Sequence, residues 1–175
     1  MSNTYSAVAA PTTATTISVS TYGSKVTDAL DYLAVSKPNA RAFNSAVQSI
    51  PNTTSTVLTF DSESYDKGSG SHSTSVNTGR LTVPTSCGGV YYIGARVSWA
   101  SNATGYRSLS LRVNGTTTIA TISYPVRTDG FSDLCLSTNY SLAAGDYVEA
   151  LVSQTSGGSL NTGTDHAIWW NWVST

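Results

Sequence analysis

From Gly89 to Trp99 the chain alternates with a period of two. Tyr91, Ile93, Ala95, Val97 and Trp99 fall on one face of an extended segment, and Val90, Tyr92, Gly94, Arg96 and Ser98 on the other. Successive side chains of a strand point to opposite faces, so this period selects a β-strand with one face buried. The same period recurs twice. Leu109, Leu111 and Val113 alternate with Ser108, Ser110 and Arg112, and Leu134, Leu136, Thr138, Tyr140 and Leu142 share a face. Between these runs lie Gly88-Gly89, Asn114-Gly115, Asp129-Gly130, Gly145-Asp146 and Gly157-Gly158. Such pairs accept the positive φ angles that tight turns demand. Short strands at this spacing predict an all-β sandwich or barrel from Asn39 onward.

Composition narrows what such a fold can do. At 175 residues the chain can bury a proper core in one domain. Charged residues are only 11%, against about 25% in an average globular protein. Ten Tyr, four Trp and a net charge of −1 argue against a disordered chain. The nine Lys and Arg residues are scattered, and phosphate-backbone binding needs them clustered, so no nucleic-acid partner is expected. No segment approaches the roughly 20 apolar residues of a bilayer span, so no membrane insertion is expected. The opening Met-Ser-Asn-Thr-Tyr-Ser lacks a basic and then apolar leader pattern, which predicts synthesis in a cytoplasm without export by that route.

Two parts are expected: residues 1–38, an extended arm with one short helix, and residues 39–175, the β domain. Val26, Leu30 and Leu33 stand at i, i+4 and i+7, one face of a helix that Ser24 or Thr21 can cap and Pro38 ends. A helix this short with so narrow an apolar stripe is marginal alone in water, so the stripe must be buried against something. We read it as an attachment helix, with packing on its own domain as the alternative. The last strand is unusual: Ala167-Ile-Trp-Trp-Asn-Trp-Val173 is apolar on both faces. Leaving a large apolar side chain in water forgoes roughly 1.5–3 kcal/mol. That strand is therefore either central and covered twice, or covered on one face by another subunit.

Residues that could carry chemistry are few. The two histidines, His72 and His166, come without a Gly-x-Ser-x-Gly elbow or another motif that would place a nucleophile beside them. No catalytic site is expected, and no cofactor. Cys87 and Cys135 lack CxxC spacing and read as free thiols. Asp61, Glu63 and Asp66 read as a solvated acidic loop; Ca²⁺ is the ion such oxygens could hold, although the glycine and terminal Glu of an EF-hand are missing. The many aromatics could stack on sugars, but their alternating placement assigns most of them to core and interface.

Five segments, in order, resemble C1q/TNF-like domains: Ala40-Arg41-Ala42-Phe43; Val57-Leu-Thr-Phe60-Asp61; Thr78-Gly79-Arg80-Leu81-Thr-Val83-Pro84 followed by Gly89-Val-Tyr-Tyr-Ile93; Leu109-x-Leu-x-Val-Asn114-Gly115; and Leu142-Ala-Ala-Gly145-Asp146-x-Val148. The likeness spans about residues 40–175. No Gly-X-Y stalk precedes the domain, and the last strand is Trp-rich where the family has a Phe-x-Gly-apolar strand. The arm and helix look more like those of fibre and decoration proteins of tailed bacteriophages. The resemblance implies an all-β, C1q/TNF-like jelly-roll β-sandwich. It also implies a homotrimer in which the sheet carrying the first, central and last strands faces the threefold axis, with Phe43, Tyr92, Trp169, Trp170 and Trp172 as interface residues.

It further implies a non-enzymatic virion surface protein, a capsid decoration protein docked through its arm to the major capsid protein or another virion protein. The alternative is the receptor-binding tip of a tail fibre or baseplate, with loops 62–75 and 101–107 contacting host surface glycan. Finally, it implies that the strand near 134–142 lies antiparallel to the central one, with Cys135 near Trp99 and too far from Cys87 to form a disulfide.

Overall fold

The alternation along residues 89–99 becomes the central strand of a sheet. In chain order the strands are β1 (Asn39–Phe43), β2 (Ser49–Ile50), β3 (Thr56–Val57), β4 (Ser62–Lys67), β5 (Arg80–Thr82), β6 (Gly89–Trp99), β7 (Tyr106–Val113), β8 (Thr117–Pro125), β9 (Ser132–Leu142), β10 (Tyr147–Gln154), β11 (Leu160–Asn161) and β12 (Ala167–Ser174). The computed structural model describes residues 20, 23–27, 37–68, 70–130 and 132–174. The chain divides after Ala34 into two units. In the first, Ser20 and residues 23–27 are helical and Val26 is exposed; Leu30 and Leu33 of the expected attachment stripe lie outside the described residues.

The β unit is two five-stranded sheets. One runs β4-β1-β12-β6-β9; the other runs β3-β10-β7-β8, with β5 also paired to β10, and β2 and β11 form a separate short pair. Every pairing is antiparallel. First, last and central strands are thus neighbours in space although far apart in sequence, the strand crossing of a jelly roll. Tyr91, Ile93, Ala95 and Val97 of β6 are fully buried. They meet Leu109 and Leu111 of β7, Val148, Ala150 and Val152 of β10, and Trp170 of β12 in one core. At the β7–β8 hairpin Asn114 and Gly115 have φ of 52° and 70°. Both central residues are left-handed, the turn whose twist matches that of paired strands.

Two expectations are corrected. Residues 62–67 are strand β4, not an acidic loop. Among the described residues its neighbour in the sheet is β1 alone, and an edge strand gains from charged side chains that discourage further pairing. The three carboxylates are directed to two residues, Ser45 and His72, rather than to one point. Asp61 accepts from the Ser45 amide at 2.9 Å and hydroxyl at 2.7 Å, Glu63 pairs with His72 Nδ1 at 2.9 Å, and Asp66 accepts from the His72 amide at 2.9 Å. Among the described residues no three His, Cys, Asp or Glu side chains converge on a metal position.

The second correction is one of register. β9 does pair antiparallel with β6, but Cys135 faces Arg96, and it is Ser132 that faces Trp99. Both cysteines are free. Cys87 precedes the start of β6, so about nine residues at ~3.3 Å each separate the two along the ladder, near 30 Å. A disulfide needs Cα atoms within about 7 Å. Thiol titration in denaturant without reductant is expected to find two free thiols per chain; a quantitative intrachain disulfide would contradict this register.

Both histidines serve one segment. The rings of His72 and His166 flank Phe60, with centroids 6.3 and 5.9 Å away. His72 Nε2 lies 3.1 Å from the Thr78 carbonyl and His166 Nε2 3.1 Å from that of Thr59. Both side chains are buried, and each therefore needs the partners it has.

Candidate functional site

The β4-β1-β12-β6-β9 sheet has one face in the core, and its register fixes what the other face presents. In one row Asn39, Asn171, Tyr92 and Asn139 stand side by side across β1, β12, β6 and β9. In the next row stand Arg41, Trp169, Gly94 and Ser137, and in the third Phe43, Ala167, Arg96 and Cys135. Side chains two residues apart share a face, so these three rows form one continuous surface.

The double-sided character of the last strand is resolved residue by residue. Trp170 is fully buried, its ring 4.8 Å from that of Tyr91. Trp172 pairs in register with Tyr91 on the same side, packs partly buried against the core, and carries Lys37 Nζ 4.3 Å above its ring. Trp169 points the other way. It lies over Gly94, where a Cβ would run into the indole ring. Glycine is needed there for space rather than for φ. Of the five expected interface residues, the structure therefore gathers Phe43, Tyr92 and Trp169 on the outer face. It places Trp170 and Trp172 on the inner one, and Trp170 has no surface left to offer.

Polar groups frame these aromatics. Arg41 donates to Ser64 Oγ at 2.6 Å with its guanidinium 5.9 Å from the Phe43 ring. The Tyr92 hydroxyl donates to Ser137 Oγ at 2.9 Å, while 39% of the residue remains exposed. Arg96 pairs with Asp165 at 2.9 Å, and Asp165 also accepts from Ser98 Oγ at 2.6 Å. Sequence reasoning did not single out Arg41, Arg96 or Asp165. The parity that sets Tyr92 apart from Tyr91 would have found Arg96, but nothing local announces that Asp165 reaches it.

The Ser98 hydroxyl foremost, and then the Arg96 guanidinium, hold the Asp165 carboxyl below its ordinary range, against burial, which pushes it up. A carboxyl depressed in the folded state contributes stability above its unfolded value of about 3.9, and that contribution is lost as pH falls through the folded value. Asp165→Asn is expected to lower the urea midpoint slightly near neutrality and to leave it unchanged well below pH ~3. The effect is small because the pair is half exposed. A variant that follows the wild-type acid limb throughout would show that Asp165 is not coupled to folding.

The two packed antiparallel sheets, with first, last and central strands adjacent, define a jelly-roll β-sandwich. The sequence matches no family model and no curated protein. Solved structures do match. Murine APRIL aligns with a TM-score of 0.60 at 11% identity, over 78% of this chain and 99% of its own. Eiger TNF from S. frugiperda aligns at 0.57 and 14%, over 79% and 93%. The globular domain of zebrafish complement 1qA protein aligns at 0.55 and 16%, over 78% and 97%. The fold is the C1q/TNF-like jelly roll, as the five ordered segments imply.

Proposed function

We propose that this chain is a non-enzymatic structural protein, a homotrimer whose β4-β1-β12-β6-β9 face turns toward the threefold axis. In this reading it decorates a phage capsid surface, made in the host cytoplasm and docked through residues 1–38 to the major capsid protein or another virion protein. One observation carries the trimer. Phe43, Tyr92 and Trp169 lie together on an outer face with polar groups around them, the anatomy of an interface with an aromatic centre and a polar rim. A second copy of the chain is the occupant this face fits. The last strand spends one Trp of its central pair on the core and turns the other outward, and a cyclic assembly covers such a residue in every subunit. The virion role rests on the likeness of the arm and helix to those of tailed-phage decoration proteins.

Light scattering is expected to give three times the 18.3 kDa chain mass. Trp169→Asp should return a folded monomer, because an unpaired charge would be buried at the centre of the assembly. A wild-type monomer at micromolar concentration, or a Trp169→Asp trimer, would sink the interface. For attachment, deleting residues 1–35 should leave a soluble trimer that no longer joins particles; normal incorporation of the truncated chain, or its failure to fold, would refute the docking role.

A further inference from the structure

A cavity of about 750 Å³ opens between the β8–β9 connection and the ends of β6 and β9. This lies inside the roughly 300–1,000 Å³ range of small-molecule sites. Its lining includes Trp99, Tyr124, Arg127, Asp129, Ser132 and Asp133. Ser98 and Asp133 face each other one row beyond Arg96 and Cys135 on the outer face, at the β9 edge of the sheet and outside the aromatic cluster of Phe43, Tyr92 and Trp169.

The chemistry of the lining is specific. Tyr124 is 58% exposed, and among the described residues neither its hydroxyl nor the Ser132 hydroxyl makes a hydrogen bond. Arg127 is the cation, and Asp129 pairs with it at 3.1 Å. Asp133 is exposed and has no hydrogen bond or ion pair among the described residues. Trp99 is 5% exposed, and its buried indole N–H meets no acceptor among the described residues. The cavity thus offers an open aromatic ring, an uncommitted carboxylate and uncommitted hydroxyls, with its positive charge already answered.

We infer that this cleft binds a neutral oligosaccharide. The C–H face of a pyranose stacks on an aromatic ring, and an ionised carboxylate accepts from hydroxyl groups as a charge-assisted partner. An anionic ligand would meet Asp133 with no unpaired cation among the described lining residues to offset it. A purely apolar ligand would strip water from that carboxylate without replacing its hydrogen bonds. A basic peptide could pair with Asp133 but would leave the hydroxyls without a defined role. The site lies at different residues from the loops 62–75 and 101–107 that sequence reasoning set aside for glycan contact, and it goes beyond the display role proposed above.

The test is a glycan array carrying neutral hexose and N-acetylhexosamine oligosaccharides beside sialylated and phosphorylated ones, probed with the full chain. Retention of neutral glycans is expected. Tyr124→Ala should weaken it at least about tenfold, and Asp133→Asn should weaken it by a comparable factor. Tyr124→Phe keeps the ring and should retain most of the signal, which separates stacking from a folding defect. All three variants should keep the wild-type mass by light scattering, so failure of sugar binding and failure of the trimer are read independently. The inference falls if no neutral glycan is retained, if only anionic glycans are, or if Tyr124→Ala binds as the wild type does.

Discussion

Trp170→Ala is expected to destabilise the domain by about 3–5 kcal/mol, the usual range for removing a large aromatic from a packed core. The reason lies in its neighbours. Trp170 pairs in register with Ala40 on β1 and with Ile93 on β6. Ala40 and Ala42 are the buried residues of β1, and both are small. One indole fills the space that those alanines leave, and the cavity made by its loss cannot be closed by short side chains held in a sheet. Its indole N–H makes no hydrogen bond among the described residues, so the contribution comes from packing and burial rather than from a polar contact. Trp170→Phe should therefore recover a large part of the stability. Since whole domains are stable by only about 5–15 kcal/mol, the alanine variant should lose a substantial share. Urea denaturation at one fixed protomer concentration would measure it, because association shifts apparent stability. A loss under ~1 kcal/mol would mean that the core collapses around the site.

The contrast between Trp169 and Trp170 shows where the sequence is legible and where it stops. Period two identifies strand β6 and its buried face residue by residue, and the turn pairs fall between strands. It fails for β12 because both of its faces are apolar, so composition cannot say which Trp faces in. Only register decides, through Ala40 opposite Trp170 and Gly94 opposite Trp169. The carboxylates of β4 mislead for a related reason. Charged residues read as loop unless the strand is known to be an edge, and edge position is a tertiary fact. The displacement of Cys135 from Trp99 to Arg96 has the same origin, since pairing register depends on the length of the connection between strands. The cleft was hidden altogether, because Trp99 ends β6 and Tyr124 lies near the end of β8, and only the tertiary fold brings those two strand ends together.

Arg107→Met is expected to cost about 2–4 kcal/mol, from the loss of charge-assisted bonds and the carbonyls left unpaired. The sequence places Arg107 at the end of a surface loop, 101–107. In the structure it is the first inward residue of β7 and only 1% exposed. Its guanidinium donates to the carbonyls of Thr104, Tyr106 and Asn102 at 3.0–3.1 Å, with its carbon 5.7 Å from the centre of the Trp99 ring. Among the described residues no carboxylate answers it; carbonyl dipoles and an aromatic face do. Burial accordingly pulls its pKa below the ordinary arginine value. Lysine is a poor replacement, since an ammonium cannot reproduce the planar fork that reaches several carbonyls at once. Arg107→Lys should recover only a minor part of the loss. The consequence extends to the cleft: Asn102 N–H donates to the Gly130 carbonyl and Val126 N–H to that of Gly105, at 3.0 and 2.9 Å. The loop that Arg107 organises thereby holds the β8–β9 connection from which Arg127 and Asp129 line the cavity, just beyond Tyr124 of β8. Amide exchange in Arg107→Met should accelerate at Asn102 and Val126 before it does in β6 or β10, and urea denaturation should show the stated loss. Unchanged exchange at both amides would mean that the β8–β9 connection is held independently of Arg107.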